Sequence, residues 1–282
     1  MPMPPILVVD LFPEVTSRLL ELLRSLSDEE WHLPTVSSRR RVRDIASHLL
    51  DGSLRRLSTH RDGYQPPDPR AQQRKYEPLL GYLNRLNDEW ETGTRILSPN
   101  VLVGLIEWAD AQLADLFESL DMHAPAHFPV AWAGETESKT WMDVGREYTE
   151  KWHHTQQIFD AVKRPSTIMN QRLGKPCLDI FMRALAFTFQ DVHAEPGVAV
   201  VVTVVGEAGG DWQIERQSDR WEQIAEPPAS PTAVVTMDHD TAWKLVTKRR
   251  SRDAIRQQFP NIRIDGEESL GQHVLDMVSV MA

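Results

Sequence analysis

The chain has 282 residues, 41% of them hydrophobic and 26% charged, the profile of a globular protein with one large domain or two ordinary ones, two being the better prior. A formal net charge of −10 excludes a wholesale nucleic-acid-binding role, which needs a basic surface to displace counterions. The single cysteine, Cys177, excludes an intramolecular disulfide and any zinc site with two cysteine ligands from one chain.

Met1–Pro5 lacks the positive region of a signal peptide, and the apolar run Ile6–Val9 is too short to be the core of one. No stretch approaches the roughly 20 apolar residues that a membrane span needs, so a cytoplasmic protein with no membrane partner is expected. Leu11, Val15, Leu19, Leu22, Leu23 and Leu26 recur at helical steps and predict a first helix with one apolar face. It ends at Ser27-Asp28-Glu29-Glu30, and Pro34 follows. The basic run Arg39, Arg40, Arg41 and Arg43 is read as a solvated helix entrance. A second helix runs from near Val42 through Ile45, His48 and Leu49 to Leu57, and the prolines of Tyr64–Arg70 make a loop.

Leu79, Leu83, Leu86 and Trp90 mark a third helix, with Leu97 near its end; Ser98-Pro99 punctuates. Leu105, Ala109, Leu113, Leu116 and Leu120 mark the next. His123–Glu137 is a long connection with Pro125, Pro129 and Gly134, of the kind that often carries function. It is a candidate cover for a site, with His123 and His127 as outlying candidate ligands. A helix over Trp141–Val162 closes before Pro165, and Leu178, Phe181, Met182, Leu185 and Phe189 mark a further one. At Gly197 the texture changes. Val198–Val205 reads as a strand, as do Trp212–Glu215, a segment at Trp221, Val234–Met237 and Ile262–Ile264. Thr241–Thr247 reads as a helix capped by Asp240, and Leu270–Met281 as a last helix. Helices followed by mixed strands and helices predict a bundle and then an α+β domain, divided near Leu173–Pro176, at 1–173 and 174–282.

The helix that carries the chemistry lies before that division. Glu147, Glu150, His154 and Ile158 step by three, four and four residues and share a helix face. Acidic and imidazole groups on a face that becomes core are costly unless paired or bound to a metal. Glu150 and His154, four apart, can reach one ion, and His48, beside the apolar stripe of its own helix, supplies a third ligand. Two imidazoles and a carboxylate suit zinc with an open fourth position, and iron or nickel accept the same donors. Spacing alone leaves two bland readings open: a hydrogen-bonded core histidine at His48, and a surface pair at Glu150 and His154. His153, about 100° round the helix from His154, is read as peripheral. Trp141, Tyr148 and Trp152 are read as packing, and Cys177, whose neighbourhood carries no catalytic motif, as a small buried residue.

The stretch Val42-Arg43-Asp44-Ile45-Ala46-Ser47-His48-Leu49-Leu50-Asp51-Gly52 resembles the second-helix signature of the DinB-like bundles, most of all their mycothiol-dependent maleylpyruvate isomerase branch. Glu150–Ile158 is similar to the later metal helix of that family. Trp221, Thr241–Val246 and Ile262-Arg263-Ile264-Asp265-Gly266 are similar to the domain that follows the bundle there. The resemblance implies a DinB-like four-helix bundle followed by a small α+β sterol-carrier-like domain, and a metal triad of His48, Glu150 and His154. One departure is that Val36–Arg41 lacks the tryptophan found there in relatives. The family's second domain also offers an arginine to the substrate near the end of its helix; Arg249 and Arg250 lie at about that point, and a solvated basic run is the competing reading.

The function expected from this resemblance is that of a metal-dependent enzyme, zinc being favoured. It would use a low-molecular-weight thiol such as mycothiol or bacillithiol as cosubstrate to isomerise or S-conjugate a small electrophile. Glu147, one turn before Glu150, is a candidate proton acceptor or ligand-orienting group, or else a surface carboxylate. Arg249 is the candidate substrate contact. Two rival functions are a metal-assisted hydrolase, with the ion activating water, and a non-catalytic binder of a small apolar ligand. The sequence sets no oligomeric state.

Overall fold

The computed structural model describes residues 3–37, 39–64 and 79–279. The chain combines a helical N-terminal region with a mixed five-stranded sheet near its C-terminus. It forms two compact units, each made of separate stretches. One takes Val8–Met122 and Glu150–Ile168; the other takes the residues up to Leu7, His123–Thr149 and the chain from Met169 on.

The first unit contains α1 (Phe12–Arg24), α2 (Val42–Arg56), α3 (Leu79–Gly93), α4 (Pro99–Glu118) and the later part of α5 (Thr140–Ala161). In α1 the expected stripe is the buried face, with Val15, Leu19, Leu22 and Leu23 inside. The Ser98-Pro99 punctuation is the start of α4. Ser98 Oγ accepts the Val101 N–H at 3.4 Å, and Pro99 at the first helical position has its φ already set for a helix. Helix α2 runs on into a π-helical turn over Leu57–Arg61. The remainder of the proline-marked Tyr64–Arg70 connection, beyond Tyr64, lies outside the described residues.

The basic run at the entrance of α2 does more than meet solvent. The carbonyls that close a helix lack intrahelical donors, and the Arg43 guanidinium supplies them, donating to Thr94, Arg95 and Leu97 at 2.9, 2.9 and 2.7 Å. Arg40 pairs with Glu91 on α3 at 2.6 Å. Trp90 donates its indole N–H to the Ser47 carbonyl at 2.9 Å, so α3 is fastened to α2 next to His48.

Helix α4 packs against α1 and α2, and one buried carboxylate on it gathers four helices. Asp110 accepts from Thr16 of α1 at 3.2 Å, from Ser53 of α2 at 2.7 Å, and from the ammonium of Lys151 on α5. Lys151 and Asp110 are 4% and 1% exposed. Charges so far from water persist only when paired and hydrogen-bonded on all sides.

The second unit contains a sheet of strand order β3-β2-β1-β4-β5, formed by β1 (Ala199–Val205), β2 (Gly210–Arg216), β3 (Trp221–Ile224), β4 (Ala233–Asp238) and β5 (Arg263–Gly266). Pairing is antiparallel except between β1 and β4, which run parallel. Side chains alternate across a strand. The register brings Val200, Val202 and Val204 beside Ala233, Val235 and Met237, all of them buried. Trp212 and Ile214 extend this buried set onto β2. Helices α8 (His239–Val246) and α10 (Glu268–Val274) pack against β1 and β4.

Several boundaries move. The helix expected over Leu178–Phe189 is two, α6 (Gly174–Phe181) and α7 (Ala184–Thr188), and α9 (Arg252–Gln258) was not expected. The cap of α8 is Asp238 in place of Asp240: Asp238 accepts the Thr241 N–H at 2.7 Å, while Asp240 accepts from Trp243 Nε1 at 3.1 Å. The final helix stops at Val274, short of the Met281 expected; 280–282 lie outside the described residues. No described helix is long and apolar enough to cross a membrane.

Two stability predictions follow from these contacts. Asp110→Ala leaves Lys151 buried without its carboxylate and should cost about 3–5 kcal/mol in urea-induced unfolding. Adding Lys151→Met to that variant should recover part of the loss. Gly266 has φ +86°, and a Cβ there would stand 2.3 Å from the Thr232 carbonyl oxygen. Gly266→Ala should therefore cost at least the 1–2 kcal/mol of a left-handed residue, read as a lower thermal midpoint.

Candidate metal centre

His48 sits in the middle of α2 between Ile45 and Leu49, both buried. Glu150 and His154 stand one turn apart on α5. The structure brings these three together: one donor atom from each lies within 4.8 Å of the other two. Glu150 Oε2 and His154 Nε2 are 3.3 Å apart. The rings of His48 and His154 meet edge to face with centroids 4.8 Å apart. A tetrahedral zinc with ligands at 2.0–2.1 Å spaces its donors about 3.3 Å from one another. The Glu150–His154 separation already has that value.

The electrostatics suit a cation. Burial, followed by the neighbouring His154 and Arg40, holds the His48 imidazole well below its ordinary range, against the opposing field of Glu150. His48 is therefore neutral at physiological pH, with a lone pair to give. Its Nδ1 is buried and has no hydrogen-bond partner among the described residues. Burial pushes the Glu150 carboxyl up, but the hydrogen bond from His154 and the fields of His154 and His153 outweigh it and hold the group ionised far below the carboxylate range. A neutral imidazole with an unsatisfied buried nitrogen, beside an ionised carboxylate and a second imidazole, is a donor set that fits a divalent ion.

Two neighbours were underrated in the sequence. His153, read as peripheral, is as deeply buried as His154 and stacks on it at 4.0 Å between centroids. Gln157 bridges the two: its Oε1 is 3.0 Å from His154 Nδ1 and its Nε2 is 3.1 Å from His153 Nε2. The available signal was spacing, since Gln157 follows His154 by three and His153 by four, the neighbouring positions of a helix surface.

The other candidates have their own settings. Glu147 pairs with Arg146 at 3.3 Å, and Arg146 also donates to Asp143 at 2.6 Å. Arg249 is exposed after α8, and Arg250 donates to the Lys244 and Lys248 carbonyls at 2.5 and 3.0 Å, closing that helix. His123 and His127 are exposed on their connection, His127 stacking on Phe128, and neither belongs to the convergent cluster. The connection is stitched to itself, with Ala126 N–H donating to the Ser138 carbonyl at 2.8 Å. Cys177 is buried in α6, and Tyr148 and Trp152 are fully buried packing residues.

A family model described as the mycothiol maleylpyruvate isomerase N-terminal domain matches residues 12–159. Among solved structures, the chain is similar to one described as the mycothiol-dependent maleylpyruvate isomerase, at 14% identity over 84% of this chain and 86% of that one, with a TM-score of 0.48. It is likewise similar to a histidine-to-alanine mutant of that isomerase, with the same identity and coverage and a TM-score of 0.46. None of the curated proteins matches it. The family match spans more than half of the 282 residues and takes in His48, Glu150 and His154, and on that ground the chain belongs to the mycothiol maleylpyruvate isomerase N-terminal domain family.

Proposed function

We propose that the protein is a metal-dependent enzyme that uses a low-molecular-weight thiol, mycothiol being the one its family points to. Its reaction would be isomerisation or S-conjugation of a small electrophile, in the manner of a maleylpyruvate isomerase. The observation that carries this reading is the convergence of His48, Glu150 and His154 within 4.8 Å, with His48 neutral and its Nδ1 unpartnered among the described residues. Zinc is the favoured ion for two imidazoles and one carboxylate. Once bound, it would supply an electrophilic position that favours the thiolate form of a coordinated thiol.

The three side chains would hold the ion from two facing helices. Cys177, the only cysteine, is buried in α6, so the sulfur nucleophile of this reading comes from outside the protein. In isomerisation the thiolate adds to an electrophilic double-bonded carbon, the former double bond rotates, and the carbon–sulfur bond breaks to return the thiol. In conjugation that bond stays, and the adjacent carbon takes up a proton. Within this reading Glu147 is assigned the proton and Arg249 an anionic group of the substrate. Each assignment requires its alanine variant to lose turnover while keeping the metal.

Titration of the metal-free chain with zinc should reach one ion per chain, and His154→Ala and His48→Ala should each abolish stoichiometric uptake. Full uptake by His154→Ala would overturn the ligand set. With metal loaded, mycothiol should raise the thermal midpoint, since a ligand of the folded state stabilises it. Turnover of a maleylpyruvate-like cis-enone should stop when the thiol is withheld. Thiol-free turnover that yields a hydrolysis product would instead identify a metal-assisted hydrolase.

A further inference from the structure

A glutamine amide has two ends of fixed polarity: the oxygen only accepts and the nitrogen only donates. In Gln157 the oxygen faces His154 Nδ1 at 3.0 Å and the nitrogen faces His153 Nε2 at 3.1 Å. His154 must therefore carry a proton on Nδ1, and when that ring is neutral its Nε2 lone pair is open on the side of Glu150, 3.3 Å away. His153 must accept at Nε2, so as a neutral ring it carries its proton on Nδ1.

Turning the amide end for end would reverse both histidines. A donor would then face His154 Nδ1, the proton would sit on Nε2, and the nitrogen offered to a cation would become a hydrogen-bond donor to Glu150. The direction of one buried amide and the ability of His154 to act as a ligand are thus a single variable. All three side chains are buried, so water does not compete freely for these bonds, and the stacked pair of imidazoles at 4.0 Å keeps both rings within reach of the amide.

We propose that Gln157, bridging His153 and His154, is a positioning residue that holds His154 in the tautomer able to bind a divalent cation. This rests on the metal reading of His48, Glu150 and His154. It extends that reading to two residues that touch no substrate and act through a ligand. Outer partners that hold a ligating imidazole by its second nitrogen typically matter 10–100-fold in metal affinity.

The test compares the full-length wild type with Gln157→Leu, which removes both bonds at similar volume, and with Gln157→Glu, which still accepts the His154 Nδ1–H. In metal-free protein, imidazole nitrogen shifts should report His154 protonated on Nδ1 in the wild type and in Gln157→Glu, and on Nε2 in Gln157→Leu. Competition with a chelator for cobalt(II) or zinc should show affinity about 10–100-fold weaker in Gln157→Leu and restored in Gln157→Glu. Should Gln157→Leu fail to fold, His153→Phe keeps the ring stack, removes the acceptor for the amide, and carries the same expectation. A folded Gln157→Leu with wild-type tautomer and wild-type affinity would overturn this inference alone. A wild-type chain that takes up neither cation would overturn the metal reading and the inference with it.

Discussion

The ion pair between Asp110 and Lys151 decides how α5 is turned within its unit. Successive residues of a helix lie about 100° apart, so fixing Lys151 against α4 fixes the direction in which Glu150 and then His154 point. The same carboxylate takes a hydrogen bond from Ser53 of α2, and Ser53 lies on the helix that carries His48. Both halves of the candidate centre are thereby referred to one buried oxygen pair. A buried ion pair contributes little net stability, because desolvation offsets the attraction, but it tolerates few geometries. A one-residue rotation of α5 would leave a charge stranded in the core. The interaction is thus better understood as a registry device than as a source of stability.

The rest of α5 makes the same demand on a smaller scale. From Lys151 to Phe159 every residue is buried, although most of the side chains are polar. Buried polar groups need partners, and several along this stretch have them. Thr155 donates to the Lys151 carbonyl at 2.8 Å, Ser166 donates to Gln156 at 2.5 Å, and Gln157 joins His153 to His154. Facing these bonded side chains, His48 brings a buried Nδ1 with no hydrogen-bond partner among the described residues. A buried imidazole nitrogen left open in this way, beside an ionised carboxylate and a second imidazole, suits a ligand set.

The sequence shows these features unequally. Helix periodicity located α1 to α5 closely because each presents an apolar stripe, and the β-branched run after Gly197 announced the sheet because a strand buried on one face selects such residues. The spacing of Glu150 and His154 was visible for the same reason: both lie on one helix. His48 is about a hundred positions away, and its proximity to them is a product of helix packing that no local pattern encodes. The Asp110–Lys151 pair, 41 residues apart, was invisible on that account. His153 was misjudged because a position 100° from the ligand face looks peripheral only if the helix has an outer side, and this stretch of α5 has none. Asp240 was mistaken for a cap because Asp238 and Asp240 are chemically alike, and only the backbone decides which one meets the orphan N–H groups.

A donor set of two neutral imidazoles and one ionised carboxylate carries one negative charge, so a divalent ion held there would leave one net positive charge. Such a centre favours an anionic fourth ligand, and either sulfur or oxygen could serve. The donors themselves therefore do not separate thiol chemistry from hydrolysis. One other fact favours sulfur: the chain belongs to a family whose model is named for a mycothiol enzyme. Its own cysteine, Cys177, is closed inside α6. A protein without an accessible thiol can still run thiolate chemistry if the thiol arrives with the substrate. In the proposed reaction the open position would be a docking point for the nucleophile, and choice of substrate would pass to the groups around the metal and away from its ligands.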